Sequence, residues 1–480
     1  MPDWLIPLWH SFVGAAIVAV DLLATAHIVL HKRDAQSAIG WVGMVWFAPI
    51  IGPVLYYLLG INRVARKAKR LRRRHHRPTS AESSATDVPD AIPPSAAHLA
   101  PQARLVQALT GDRLLAGNAV LPLDSGTSAY AAMLGAIDAA DHSVGLSTYI
   151  FNDDAAGKRF IDALGRASAR GVEVRVLIDD IGARYSWPWT AVGPLRKAGV
   201  RVARFLPQLL PWHFHYANLR NHRKILVVDG KIGFAGGMNI QAALDPSLHP
   251  KSPIADMHFR LEGPVVAHLR ETFASDWEFS TGTALRGREW FPKLQDCGMA
   301  SARGIRCGPD DSSMRLRAVY LGALASARSS VRIVTPYFLP DAALIAGLNV
   351  AALRGVKVDV VLPERNNLRL VHWACMGQIG QVLEHGCRVW LAPPPFAHTK
   401  LLIVDRTWVL FGSSNWDPRS FRLNFEFDVE SYDPALAGPL DGEVAKTVGR
   451  SRELTPADLR RRSLPAKLRH GIARLLTPYL

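Results

Sequence analysis

Apolar positions dominate the first sixty residues. Trp4 to Leu30 is almost entirely apolar and long enough for a helix across the hydrocarbon core of a bilayer. After the polar turn His31–Asp34, a second apolar run reaches from Ala35 to Gly60. Pro49, Gly52 and Pro53 interrupt it and predict a kink or a re-entrant turn, which a membrane tolerates where neighbouring chain satisfies the backbone. The expectation is a two-helix transmembrane hairpin over residues 1–60. A cleaved signal peptide fits less well, because the leading Met-Pro-Asp-Trp has no positive charge and the run is too long. Asp21 and His27 lie inside the first run, where a polar contact with the second helix is the plain expectation.

From about Gln102 short apolar runs alternate with amphipathic ones. Ser143–Phe151 and Val172–Asp180 read as strands and Gly157–Gly171 as a helix, which predicts an α/β layer architecture. The pattern then repeats. Ile161–Asp180 aligns with Ile345–Glu364, and Ser143–Asp153 resembles Ser330–Asp341. The body is therefore expected to be a duplicated α/β domain, 102–299 and 300–480, with the seam near Ala300. Such halves commonly meet about a pseudo-twofold axis. Residues 61–101 read as a basic juxtamembrane segment followed by a Pro-, Ser- and Ala-rich linker.

Composition adds two facts. With 49% hydrophobic residues among 480, disorder is not the default. The formal net charge of +16 matters because the excess is local: nine lysines and arginines and no acid lie between Ile61 and Arg77. By the positive-inside rule this flank is cytoplasmic, so the hairpin puts both termini inside. The run suits anionic lipid or nucleic acid, and its position at a helix end favours lipid, so no nucleic-acid partner is expected. A second basic stretch, Arg450–Leu476, is partly amphipathic and reads either as a solvated helix or as a membrane-docking one. The aromatic-rich segment Pro207–Ala217 reads as a lip touching lipid or a loop packed on the body. Cys297, Cys307, Cys375 and Cys387 form no C-x-x-C pair and read as reduced, structural thiols.

The candidate chemistry sits in a motif that occurs twice, in Asn221–Ile240 and Ala397–Trp416. His222 is followed by Lys224, Asp229, Gly236 and Asn239. His398 is followed at the same offsets by Lys400, Asp405, Gly412 and Asn415. Histidine and lysine two apart share one strand face. Asp229 opens an Asp-Gly turn and reads as turn former or site residue alike. The returning strand brings Gly236–Asn239 beside His222–Lys224, and Gly412–Asn415 beside His398–Lys400. Glycine lets an anion approach backbone N–H groups, lysine supplies a point charge and asparagine a donor. Each copy is a phosphate site containing an imidazole, and neither offers the ligands of a metal site, so no metal or cofactor is expected. Two histidines suit a two-step displacement at a phosphodiester. One, neutral, attacks phosphorus; the other, protonated, hands a proton to the leaving alcohol and later takes one from the acceptor. Arg220, Arg223 and Lys224 surround His222 with positive charge that favours its neutral, nucleophilic form.

These residues resemble the phospholipase D superfamily, marked by two H-x-K-x4-D motifs in two similar domains. More narrowly the chain is similar to bacterial cardiolipin synthases. The likeness includes Gly117–Val120, Tyr149–Asp154, Asn218–Lys224, Leu261–Pro264, Phe273–Trp277, Thr335–Asp341, Gly412–Phe421 and Leu423–Glu426. It implies an enzyme of the bacterial cell membrane, multi-pass, with its catalytic domains in the cytoplasm. The implied reaction transfers a phosphatidyl group between two phosphatidylglycerol molecules, giving cardiolipin and glycerol. It carries catalytic roles to His222, Lys224, Asp229, His398, Lys400 and Asp405, and phosphate contacts to Asn239 and Asn415. Glu426 matches an acid that orients a catalytic histidine. The first half has Pro250 at the matching offset, and Asp256, after a longer loop, is the counterpart. A hydrolase on the same fold, lipase or nuclease, is the alternative. The acceptor lipid and oligomeric state stay open.

Overall fold

A computed structural model describes residues 5–32, 35–61, 92–185, 190–207, 219–308 and 314–477. The basic run after Ile61 and the aromatic segment after Pro207 lie outside them. The chain divides into two units, the N-terminal segment and the body.

In the N-terminal unit one helix, Leu5–His31, contains a span, Ser11–His31, long and apolar enough to cross a membrane. The second apolar run is not a second such helix, and here the hairpin expectation is corrected. It is helical over Ala35–Phe47, breaks around Pro49, where Ile50 takes φ 83°, and resumes over Ile51–Leu55 and a π turn to Gly60. Thirteen residues reach about 20 Å, short of the hydrocarbon thickness of roughly 30 Å. The chain folds back: the Trp41 and Tyr56 rings meet at 5.4 Å, and Lys32 Nζ donates to Gly60 O at 2.7 Å. Proline and glycine at the break make this re-entrant course possible. His27 does make the anticipated interhelical contact, its Nδ1 lying 2.8 Å from the Tyr56 hydroxyl. Asp21 is buried, and among the described residues its Oδ1 has no hydrogen-bond partner.

The body is built on one long mixed sheet with helices packed on it. From the centre outward through the first half the strands are Leu115–Leu123, His258–Glu262, Ile232–Gly236, Ile225–Val228, Ser143–Thr148, Glu173–Asp179 and Arg201–Phe205. Through the second half they are Ala300–Cys307, Asn424–Tyr432, Trp408–Gly412, Leu401–Val404, Ser330–Val334, Lys357–Pro363, Arg388–Ala392 and Arg452–Leu454. The order is the same from either side of the seam, where Leu115–Leu123 pairs antiparallel with Ala300–Cys307. Parallel pairs need crossover helices, and the equivalent helices Ala155–Ala169 and Ala342–Leu353 supply them. Asp154 and Asp341 cap their first turns, accepting from Gly157 N–H and Leu344 N–H.

A shared apolar core joins the halves. Ile225, Val227 and Phe259 of the first pack with Leu401, Ile403 and Phe411 of the second, and the Phe259 and Phe411 rings stack at 3.6 Å. Part of the segment expected as linker packs on the body. Ile92, Ala96, Leu99 and Ala103 are buried against Val319, Tyr320 and Ala323 of the second half. Arg303, fully buried, ties this arm down: it pairs with Glu430 and donates to Ala103 O and Asp112 O.

Candidate active site

Each motif histidine is carried on chain bonded to the opposite half. Arg220–Asn221 runs parallel to the start of Asn424–Tyr432, and His222 N–H donates to Phe425 O at 2.9 Å. Phe396–Ala397 runs parallel to Ile254–Ala255, and His398 N–H donates to Ala255 O at 2.7 Å. The side chains follow. His222 Nδ1 lies 3.0 and 3.1 Å from the two carboxylate oxygens of Glu426, and His398 Nδ1 lies 2.8 Å from Asp256 Oδ2. The pairing is crossed: each half's histidine is held by the other half's acid. A carboxylate accepts the Nδ1 proton and so leaves Nε2 as the lone-pair nitrogen.

Register shows that the two acids are equivalents. Gly236 sits opposite His258 and Gly412 opposite Asp428 in matching strand pairs, and each acid lies two residues before that partner. The glycines make room for these residues. A side chain on Gly236 would meet His258 Nδ1, one on Gly412 would meet Asp428 Oδ1, and one on the neighbouring Gly237 would meet Asp256 Oδ2.

Lys224 and Lys400 are buried, and each ammonium donates to the carbonyl of its own motif histidine, at 2.6 and 2.5 Å. Lys400 Nζ also lies 3.1 Å from both ring nitrogens of His398. Asn239 and Asn415 close the same strands. Asn239 Oδ1 accepts from Ile150 N–H, which turns its amide nitrogen away from that contact, and among the described residues the buried Asn415 Oδ1 has no partner.

The two "D" residues of the motifs are not brought to the histidines. A strand of four residues separates Lys224 from Asp229, roughly 16 Å of chain. Asp229 accepts from the N–H groups of Asp141, His142 and Ser143, and Asp405 from those of Arg328, Ser329 and Ser330 and from His98 Nε2. Each clamps the loop that starts the neighbouring strand.

Burial lowers His222 to about 4, with Glu426 opposing and Lys224 and Lys400 adding to the effect. Burial likewise lowers His398 to about 4, helped by Lys400 and opposed by Asp256. Each histidine thus feels the lysine of the other motif as well as its own. Burial brings Lys400 down to about 8, and Lys224 also well below the ordinary lysine range. Burial alone would push Glu426 up, yet His222, Lys224 and Ser413 bring it to about 2. Arg223 does not add to the field at His222 as the sequence suggests. Its guanidinium pairs with Asp276 and donates to Glu426 O and Cys307 O.

Several residues beyond the motif positions support the site. Ser413, Ser420 and Asn424 donate to Glu426 at 2.5, 2.9 and 3.0 Å, leaving that carboxylate fully satisfied. Asp256 has fewer donors, His398 and its neighbour Met257 N–H. Tyr149 and Tyr337 stand edge-on to His222 and His398, at 5.2 and 6.3 Å between ring centres. The sequence signal for them is that they lie in the stretches Tyr149–Asp154, Thr335–Asp341, Gly412–Phe421 and Leu423–Glu426, with Ser-Ser in Gly412–Asn415 where the first copy has Gly237-Met238.

Comparison with known proteins matches this architecture. The cardiolipin synthase, PLD-like domain profile matches residues 133–277 and again 320–447, and a phospholipase D-nuclease N-terminal profile matches residues 19–60. Cardiolipin synthase A of Pseudomonas aeruginosa (strain LESB58) is 33% identical over 98% of this chain and 96% of its own length. Cardiolipin synthase A of Pseudomonas putida (strain GB-1) is 32% identical over the full length of both. Among solved structures, phosphatidylserine synthase of Haemophilus influenzae Rd KW20 superposes with a TM-score of 0.61 at 16% identity, covering 79% of this chain and all of its own, a likeness of fold. The chain belongs to the cardiolipin synthase family of proteins with two PLD-like domains.

Proposed function

We propose that this protein is a cardiolipin synthase that moves a phosphatidyl group from one phosphatidylglycerol to another and releases glycerol. Full-length identity to Cardiolipin synthase A supports the reaction class. The crossed histidine–acid pairs support the mechanism, and they are the observation that carries it. One histidine attacks phosphorus through Nε2, forming an N–P bond as the P–O bond to glycerol breaks. The other gives its proton to the departing glycerol oxygen. In the second step that histidine takes a proton from the hydroxyl of the incoming phosphatidylglycerol, whose oxygen displaces the phosphohistidine. Lys224, Lys400, Asn239 and Asn415 hold the non-bridging oxygens and stabilise charge gathering on them. The anionic diester raises the two histidines from their depressed resting values when it binds, supplying the protonated partner. Glu426 and Asp256 orient the rings, and Asp229 and Asp405 act through the loops they clamp. No metal or cofactor enters these steps.

We further assign the two catalytic domains to 102–299 and 300–480, related by a pseudo-twofold axis, a reading supported by the mirrored strand order. The membrane anchor is one crossing helix followed by a re-entrant segment. The fold-back brings Lys32 and Gly60 to one face, and the basic run of sequence that follows makes that face cytoplasmic by the positive-inside rule. The catalytic body follows that run into the cytoplasm.

The test is product analysis with the purified full-length protein in phosphatidylglycerol vesicles. Cardiolipin and glycerol in equal amounts are expected; phosphatidic acid as the main lipid product would make the enzyme a hydrolase.

A further inference from the structure

The C-terminal helix Leu464–Leu475 carries an apolar face that the body does not cover. Leu464, Leu468, Ile472, Leu475 and Leu476 are exposed, at 69, 57, 62, 71 and 42%. Their spacing of four, four, three and one places them within about 120° of the helix circumference. The opposite face is the one that packs. His470 and Ala473 are buried there, and a side chain on Gly377 of helix Arg369–Leu383 would meet the His470 carbonyl. The apolar stripe is therefore not a misplaced core face, since the helix already has one.

Charge frames the stripe. Lys467 and Arg474 project along one border and Arg469 along the other, Arg469 also lying over the Trp373 ring at 4.7 Å. Arg460 and Arg461, both exposed, precede the helix. From Arg460 to Leu476 there are six lysines and arginines and no acid. An apolar stripe bordered by cations matches an interfacial helix lying in the plane of an anionic bilayer, with leucines among the acyl chains and cations among the phosphates.

We infer that helix Leu464–Leu475 docks the catalytic body on a bilayer surface rich in anionic lipid, as a second membrane contact separate from the N-terminal span. The inference stands on this helix alone and goes beyond the proposed reaction. A second copy of the chain would cover the apolar stripe too, but Lys467, Arg469 and Arg474 along its borders repel their own like.

The experiment uses the full-length protein in proteoliposomes, with the exposed Cys297 changed to serine and Ile472→Cys labelled with bimane. Nitroxide-bearing acyl chains report burial of the probe, independently of turnover. Strong quenching is expected in bilayers containing phosphatidylglycerol, with a several-fold smaller effect in pure phosphatidylcholine and in a Lys467→Glu/Arg474→Glu variant. Absence of quenching in phosphatidylglycerol bilayers would overturn the proposal. So would a probe blue-shift that grows with protein concentration in detergent, which marks a second copy as the occupant. A Leu468→Glu/Ile472→Glu variant, altered only at exposed positions, should lose activity several-fold on vesicles and keep it in detergent micelles. Equal activity on vesicles would count against docking.

Discussion

Burial lowers the pKa of both His222 and His398, but their surroundings differ. Glu426 takes three further donors, from Ser413, Ser420 and Asn424, whereas Asp256 takes little beyond His398. Removing the charge should therefore act differently in the two halves. Asp256→Asn keeps the shape and loses the anchor for His398, so kcat should fall on the order of 100-fold with little change in melting temperature. Glu426→Gln replaces one of two accepting oxygens by an N–H2 group facing donors, so at least one of Ser413, Ser420 and Asn424 loses its acceptor and the melting temperature should fall as well as kcat. Equal melting temperatures for the two variants would show that the serine network does not matter. Lys400 gives a second test. It loses its proton near 8, and above that pH the phosphate loses one of its cations. KM for phosphatidylglycerol should rise as pH climbs past about 8, while a KM flat through that range would remove Lys400 from substrate binding.

At the scale of elements, the hairpin of each motif separates chemistry from support. Its open end holds histidine, lysine and asparagine, and its turn holds the aspartate. Asp229 and Asp405 take φ of 49° and 52° and each satisfies three backbone N–H groups. Asp229→Asn and Asp405→Asn should cost about 1–3 kcal/mol of stability each, with folded protein keeping kcat within a few-fold. A collapse of kcat at unchanged melting temperature would restore a direct role in the chemistry. The same hairpins show what is legible in the sequence and what is not. The offsets of His, Lys, Gly and Asn, repeated in two copies, were enough to assemble each half-site. Glu426 lay in a matching stretch, but Asp256 sits beyond a longer loop, and only strand register makes the two equivalent. The turn aspartates were ambiguous because turn former and site residue use the same letter. The charge of Arg223 was visible, but its partner Asp276 is 53 residues away. The second apolar run was long enough on paper; its fold-back depends on how Trp41 and Tyr56 pack across the break.

Over the whole molecule, the crossed pairs make one site out of two halves. Neither half holds a complete histidine–acid pair, because His222 depends on Glu426 and His398 on Asp256 across the seam. No order of residues along the chain reveals this crossing; it follows from the short parallel pairings of Arg220–Asn221 and Phe396–Ala397 with the opposite half. In the proposed reaction the two imidazoles divide attack and proton transfer at one phosphate between them, and neither can do both. The measurement that tests this most directly traps the covalent enzyme. A labelled phosphatidyl donor with a leaving group that needs no proton is given to His222→Ala and to His398→Ala. One variant should take up acid-labile label on its remaining histidine, the other should take up none, and neither should make cardiolipin from phosphatidylglycerol. Label on both variants or on neither, or cardiolipin formed by either, would contradict a site in which one histidine attacks and the other moves the proton.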